Sequence, residues 1–160
     1  MILKANQKYI DTSSIAHLLV NGEKNADTVY FQVDRFYNNI DLSSCVFTLR
    51  AVNENLDIIE QTLKQENTNE YIMLEWNIDE YFTAVNGSLN LEIKATKNND
   101  LTLKYTMHSI YIRQSLSDVE SSSILVSKNS TSSNFVDESN LMSVLADNNI
   151  EFKIDTYEEA

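Results

Sequence analysis

Apolar and polar side chains alternate with a period of two along several stretches of this chain. In residues 89–95, leucine, isoleucine and alanine occupy the odd positions and polar residues occupy the even ones. The same alternation recurs in residues 29–34, 47–51 and 72–76. It is typical of strands that turn one face to a core and the other to water. We therefore predict a mainly β protein.

Turn-forming residues separate these stretches. They are Asn21-Gly22, Asn38-Asn39, residues 53–55, residues 67–69, Asn86-Gly87 and residues 98–100. Short strands spaced by such turns favour a sandwich over a βαβ fold. We predict an all-β fold, an immunoglobulin-like or jelly-roll two-layer β-sandwich, over residues 1–116.

Two stretches depart from simple alternation. Apolar side chains occupy odd positions in residues 101–107 and then even positions at Ile110 and Ile112. Such a change of phase requires a β-bulge or a crossing between sheets. Residues 78–85 could form one or two helical turns that plug one end of the sandwich.

Glycine and proline are scarce, with 2 Gly and 0 Pro. Asparagine is frequent and tolerates positive φ better than other non-glycine residues, so it can replace glycine in turns. A genome rich in A and T would also favour asparagine, and we take that as the main cause of its abundance.

The pattern changes after about Leu116. Residues 117–134 are rich in serine, which is typical of a linker. In residues 135–160 the apolar residues Leu141, Val144 and Leu145 have helical spacing, and residues around Phe152 alternate like a short strand. We predict a C-terminal linker followed by a short helical and strand arm.

Charge and cysteine content exclude several classes of function. The net charge of -12 argues against nucleic acid and anionic membranes, which require clustered Lys and Arg. No apolar run is long enough for a membrane span. The start of the chain is unlike a signal peptide, and Cys45 is the one cysteine, so we expect synthesis in a reducing cytoplasm.

Catalytic and metal-binding patterns are missing from the sequence. His17 and His108 lack the neighbouring ligands of a zinc site, and Cys45 lacks a nearby base. Asn53 and Asp57 lie in a stretch that lacks the glycine and terminal glutamate of a calcium-binding EF-hand loop, which favours a polar turn. We expect no cofactor, no metal and no enzymatic activity.

Aromatic residues cluster in residues 30–37 and 71–82. Packing in the core and at strand edges explains such clusters, with Trp76 between the sheets. A sugar-binding module would instead expose two or three aromatic rings as stacking platforms. Both interpretations stay open at the level of sequence.

Four blocks stand out: VYFQVDRFYNNIDLS at residues 29–43, IMLEWNID at residues 72–79, GSLNLEIK at residues 87–94, and residues 103–112. In their order and spacing they resemble the N-terminal domain of upper-baseplate proteins from phages that infect Gram-positive bacteria. The match extends over about residues 1–116. The resemblance implies a β-sandwich that docks on the core of a phage tail or baseplate.

Family members usually continue into a long shaft, whereas this chain has a short tail without sustained heptads. That difference favours a small adaptor or a peripheral component of the baseplate or neck. We therefore expect a structural component of a phage or phage-tail-like particle, assembled in the host cytoplasm and located in the virion. Its expected partners are other virion structural proteins and further copies of itself. The alternative is a module on the virion that binds cell-surface glycan or acts as an adhesin.

Two groups of residues are candidates for the assembly surface. Arg35, Phe36 and Tyr37 match the R-x-Y element of the resemblance, and Arg and Tyr are common at interface hot spots. An equally good interpretation is that Phe36 and Tyr37 cap the core while Arg35 pairs with a carboxylate. The second group, in the predicted arm, contains Leu141, Val144, Leu145 and Phe152.

Overall fold

The computed structural model describes residues 1–118. This part of the chain is all-β, as predicted, and its only helical segments are two 3-10 turns, Ser13–Ile15 and Leu116–Asp118. The strands are β1 (Ile2–Asn6), β2 (Tyr9–Ile10), β3 (Thr28–Asp34), β4 (Phe36–Tyr37), β5 (Ile40–Asp41), β6 (Val46–Val52), β7 (Ile58–Thr62), β8 (Lys64–Asn67), β9 (Tyr71–Asn77), β10 (Gly87–Lys97), β11 (Leu101–Met107) and β12 (Ile110–Ile112). The predicted linker and arm lie outside the described residues, apart from the start of the linker.

Ten strands form one mixed sheet with the order β7-β6-β10-β11-β2-β1-β3-β9-β8, and β12 pairs with β10 beside this path. Two of the pairings are parallel, β1 with β3 and β2 with β11. The remaining strand pairs are antiparallel, including the separate hairpin of β4 and β5. The sheet is therefore mixed rather than purely antiparallel.

The two ends of this path belong to one continuous segment of chain. Strand β7 pairs with β6, strand β8 pairs with β9, and only Leu63 separates β7 from β8. The Leu63 amide donates to the carbonyl of Phe47 at 2.8 Å. The sheet is consequently nearly barrel-shaped. The finer prediction of a two-layer immunoglobulin-like or jelly-roll sandwich stays a prediction.

Side chains fill the interior with the alternation expected from the sequence. Strands β3, β6, β9 and β10 each bury every second residue. Trp76 is fully buried, as the core-packing interpretation of the aromatic clusters expected. Its ring stacks on Phe31 with centroids 6.0 Å apart and meets the edge of Phe82 at 5.2 Å. The barrel therefore has a packed core, as small barrels usually do.

The predicted change of phase after β11 is confirmed as a β-bulge. Glu92 pairs with Thr106 and Leu89 pairs with Ile110, so two residues of β10 face three residues of the opposite strand. The hydroxyl of the buried Thr12 donates to the carbonyl of His108 in the bulge at 2.9 Å. The bulge lets Tyr105 and Ile110, which have opposite parity, both face the core.

The segment between β9 and β10 contains turns and no helix. Ile78 and Phe82 are buried there, and the Phe82 amide donates to the carbonyl of Asp79 at 3.3 Å. The prediction of helical turns at residues 78–85 is therefore wrong in its secondary structure. A single hydrogen-bonded turn suffices to bring both apolar side chains inward.

Candidate assembly interface

The hairpin of β4 and β5 projects from the end of β3 and contains two of the predicted interface residues. Its turn consists of Asn38 and Asn39, whose φ angles are 48° and 66°. Two consecutive residues with positive φ are the signature of a type I′ turn, whose twist matches that of a two-residue hairpin. The local sequence therefore specifies the hairpin directly.

A bidentate ion pair holds the base of this hairpin. The Nε and Nη2 atoms of Arg35 each donate to one carboxylate oxygen of Asp41, both at 3.1 Å. The Nη1 atom of Arg35 donates to the carbonyl of Thr68 at 3.0 Å. Arg35 thus ties the hairpin to the turn between β8 and β9, which fixes the orientation of the hairpin on the barrel.

The ion pair stays charged over a wide pH range. Hydrogen bonds from Arg35, followed by the backbone amide of Ser43, hold the pKa of Asp41 well below its usual range. The same contact with Asp41 raises the pKa of Arg35. Both side chains are partly exposed, at 26% and 41%, so water weakens their attraction. The ion pair therefore contributes more by fixing the orientation of the hairpin than by its interaction energy.

The hairpin presents two apolar side chains to solvent. Phe36 is 52% exposed, and the guanidinium of Arg35 lies 5.5 Å from its ring centroid. Ile40, on the opposite strand, is 40% exposed. Tyr37 is half-buried against the core, with the Nζ atom of Lys8 5.5 Å from its ring centroid. The hairpin therefore carries a small apolar surface beside the Arg35–Asp41 ion pair.

The structure brings Arg35, Phe36 and Tyr37 together but gives them different environments. Arg35 pairs with a carboxylate and Tyr37 packs on the core, as the alternative interpretation expected, whereas Phe36 faces solvent. The other predicted interface residues, Leu141, Val144, Leu145 and Phe152, lie outside the described residues.

Sequence reasoning missed three members of this site, Asp41, Lys8 and Ile40. A signal for Asp41 was present, since a two-residue turn at Asn38-Asn39 pairs Phe36 with Asp41 and so brings Asp41 next to Arg35. Lys8 carried no such signal because it reaches Tyr37 only through the fold.

The residues with catalytic potential are dispersed. His17 packs against Tyr111, and His108 packs against Tyr9, with ring centroids 6.1 Å and 5.7 Å apart. Cys45 is buried, and desolvation raises the pKa of its thiol, which disfavours the reactive thiolate. Within residues 1–118 no group of three His, Cys, Asp or Glu side chains could hold a metal ion.

The stretch considered for calcium is a self-contained polar turn. The Oδ1 atom of Asn53 accepts hydrogen bonds from the amides of Asn55 and Asp57 at 3.0 Å and 2.9 Å. Its Nδ2 atom donates to the carboxylate of Asp57 at 3.2 Å. The oxygen that would bind a cation is already used to hold the turn.

Surface depressions on the barrel are shallow. One of about 220 Å³ is lined by residues that include Arg50 and Val52, and one of about 140 Å³ is lined by residues that include Lys94 and Lys104. Ligand pockets usually measure about 300–1,000 Å³. Both depressions are smaller than an ordinary ligand pocket.

In the part of the chain that the structure describes, no helix is long and apolar enough to cross a membrane. No protein-family model matches the chain, and no curated protein matches it.

Proposed function

We propose that this chain is a non-enzymatic structural component of a phage or phage-tail-like particle, a tail, baseplate or neck adaptor that docks on other virion proteins. The observation that carries the proposal is the clamped hairpin, in which Arg35 and Asp41 fix an exposed surface of Phe36 and Ile40. A surface held in one geometry before binding loses less conformational freedom when a partner docks.

The chemistry of the hairpin supports a protein partner. Aromatic side chains such as Phe36, and arginine, are enriched at protein–protein interfaces. Symmetric particles present many copies of each contact, so a modest contact per copy suffices for stable attachment. Location in the virion and assembly in the host cytoplasm belong to this proposal, as does the two-layer sandwich that the resemblance implies.

The C-terminal residues provide the second proposed contact. The sequence pattern of Leu141, Val144, Leu145 and Phe152 predicts an apolar stripe that needs a partner surface. We propose that this stripe docks on a neighbouring virion protein, while the hairpin makes a separate contact.

The decisive experiment compares a double variant of the hairpin with a matched control. Replacing Phe36 and Ile40 together by serine should leave the fold intact, because both side chains are exposed. The double variant should be strongly depleted from purified particles, as measured by quantitative mass spectrometry of the particles. Tyr81→Ser serves as the control, since Tyr81 is 65% exposed in the segment after β9. Normal incorporation of the double variant would overturn the role of the hairpin.

Glycan binding is the second candidate function, and one observation favours it. Exposed rings occur in pairs along residues 108–111, where His108 contacts Tyr9 and Tyr111 contacts His17. Tyr111 is 44% exposed and Tyr9 is 38% exposed, so both could stack on sugar rings. Buried Trp76, by contrast, offers no platform.

A titration with cell-wall polysaccharide fragments from Gram-positive bacteria distinguishes this second candidate. If the rings form a platform, fragments should shift the NMR signals of Tyr9 and Tyr111, and Tyr111→Ala should abolish the shifts. Absence of any shift at millimolar fragment concentration would exclude a sugar platform at residues 108–111.

A further inference from the structure

The outer surface of four neighbouring strands, β7, β6, β10 and β11, carries charges in two adjacent rows. The first row contains Glu60, Arg50, Glu92 and Thr106, and the second contains Thr62, Thr48, Lys94 and Lys104. The members of each row are direct cross-strand neighbours. We name these two rows the acidic row and the lysine row. They lie two residues apart along each strand, which corresponds to about 7 Å.

The lysine row has an unfavourable arrangement within a single molecule. Lys94 and Lys104 lie directly opposite each other on β10 and β11. Like charges in this position destabilise a sheet. Among residues 1–118, neither lysine has a carboxylate oxygen within the distance of a salt bridge. This concentration of positive charge is unusual in a chain whose net charge is -12.

The acidic row, in turn, contains one more carboxylate than it has basic partners. The Nε atom of Arg50 pairs with Glu60 at 2.7 Å. Glu92, the other carboxylate of this row, makes no salt bridge in the described part of the chain. An unpaired carboxylate therefore lies beside an unpaired lysine pair, separated along β10 by one inward-facing residue, Ile93.

The outward pattern of β10 is complementary to itself in charge when it is read backwards. The outward residues of β10 run Asn90, Glu92, Lys94, Thr96, which places an acid and a base symmetrically about Ile93. The outward residues of β6 run Val46, Thr48, Arg50, Val52, with an exposed or half-exposed valine at each end. Leu49, at the centre of β6, pairs with Ile93, about which the acid and the base of β10 are symmetric, so both patterns share one centre of symmetry.

We propose that this face binds a second copy of the same chain about a twofold axis that runs between the acidic row and the lysine row. The rotation places Glu92 of each copy opposite Lys94 of the other, and Val52 opposite Val46. Isologous contacts of this kind require a self-complementary patch, which the two rows supply. This twofold contact rests on the proposed assembly role. It would be one of the contacts between copies in the assembly.

The shape of this face suits such a contact. The shallow depression of about 140 Å³ lies between the two rows, lined by Thr48, Arg50, Glu60, Glu92, Lys94 and Lys104. A lysine from the second copy can enter it and reach Glu92. The contact area is small, so we expect a weak dimer that strengthens when copies are held close together in an assembly.

Sedimentation equilibrium of the full chain tests the first consequence. The average mass should rise toward that of a dimer as the protein concentration increases into the high micromolar range. Raising the salt to 1 M should lower the dimer fraction, because the screening length falls to about 3 Å. A monomer at every concentration in low salt would overturn the proposal.

Charge reversal gives the sharper test. Glu92→Lys makes the face basic, and the double change Lys94→Glu with Lys104→Glu makes it acidic, so each variant alone should remain monomeric. An equimolar mixture of the two variants should form a heterodimer, because each copy then faces opposite charge. Glu66→Lys on β8 makes the same charge change as Glu92→Lys on another face and should leave the wild-type association unchanged.

The outcomes separate this inference from the proposed function. Self-association of Glu92→Lys at the wild-type level, or a mixture that stays monomeric while both variants are folded, would refute the twofold contact. The hairpin variant with Phe36 and Ile40 replaced should still dimerise, even if it fails to enter particles. Thermal melts of each variant verify folding, which all should retain because every substituted side chain is at least partly exposed.

Discussion

At the scale of single residues, asparagine adopts the positive φ at several turns where most proteins use glycine. Within residues 1–118, six non-glycine residues have positive φ, and four of these are asparagine: Asn25, Asn38, Asn39 and Asn98. The predicted turns at residues 38–39 and 98–100 could be identified because tolerance of positive φ is a local property of the asparagine side chain. The remaining two, Gln7 and Leu56, could not be predicted, since neither side chain favours that conformation.

Leu56 therefore offers a stabilising substitution. It has a φ of 66° and is 79% exposed in the loop between β6 and β7, so its side chain gains little from packing. Leu56→Asn should raise the free energy of unfolding by about 0.5–1 kcal/mol, because asparagine reduces the strain of the left-handed conformation. Urea denaturation measures the change. Ile58→Asn, an equally polar change at an exposed strand residue, should instead lower stability.

Trp76 is the residue on which the core depends most. Trp76→Ala should lower the free energy of unfolding by about 3–5 kcal/mol, since it removes the largest fully buried side chain. Trp76→Phe should cost less, because the Nε1 atom of Trp76 has no hydrogen-bond partner and its loss removes a buried unsatisfied group. Denaturant midpoints of the two variants give the comparison. A loss below about 1 kcal/mol for Trp76→Ala would contradict the observed burial.

At the scale of elements, alternation predicted the long strands and missed the short ones. Strands β3, β6, β9 and β10 fall on the predicted stretches because each buries one face over seven or more residues. Strand β2 contains two residues, too few to show a period. The sequence also located the bulge after β11, because the apolar residues themselves change parity there.

The ion pair at the base of the β4–β5 hairpin predicts how the stability of the fold depends on pH. The folded-state pKa of Asp41 lies below its unfolded value of about 3.9, so the unfolded chain binds more protons in acid. The contribution of the Asp41 carboxylate is fully present above the unfolded pKa and is lost as the pH falls through the folded pKa. Asp41→Asn should therefore weaken the dependence of stability on pH below about pH 5.

Urea midpoints measured across this acidic range test the prediction about Asp41. Asp100→Asn, at an exposed turn residue between β10 and β11, is the matched control. An Asp41→Asn profile that parallels the wild-type profile would show that the ion pair does not contribute to acid stability.

At the scale of the whole molecule, the closure of the sheet could not be predicted from the sequence. Residues 58–67 alternate weakly, and nothing in them indicates that the first half pairs with β6 and the second half with β9. The change of partner depends on side chains that replace backbone hydrogen bonds. Gln61 bonds both the carbonyl and the amide of Asn77, at 3.0 Å and 3.2 Å. Gln65 reaches the carbonyl of Ser43 at 3.1 Å.

Gln61 should accordingly matter more than an ordinary surface glutamine. Gln61→Ala should lower the free energy of unfolding by about 1–2 kcal/mol, because two hydrogen bonds are lost. Hydrogen exchange should accelerate at the amide of Asn77, which would lose its acceptor. Thr62→Ala, at the next position and exposed, should change neither quantity appreciably. Unchanged exchange at Asn77 in the Gln61 variant would contradict this account of the closure.

Residues 58–67 supply both end strands of the main sheet, and this has a consequence for aggregation. An open sheet has two edges whose free backbone groups can recruit strands from other molecules. Here both ends of the main sheet are halves of residues 58–67, and glutamine side chains occupy backbone groups where the halves diverge. The two edge strands, β7 and β8, are short, and β8 carries the charged residues Lys64 and Glu66, both of which disfavour strand addition. A chain packed at high local concentration can then meet its neighbours through side chains while avoiding the fibrous, edge-to-edge growth that unprotected sheets permit.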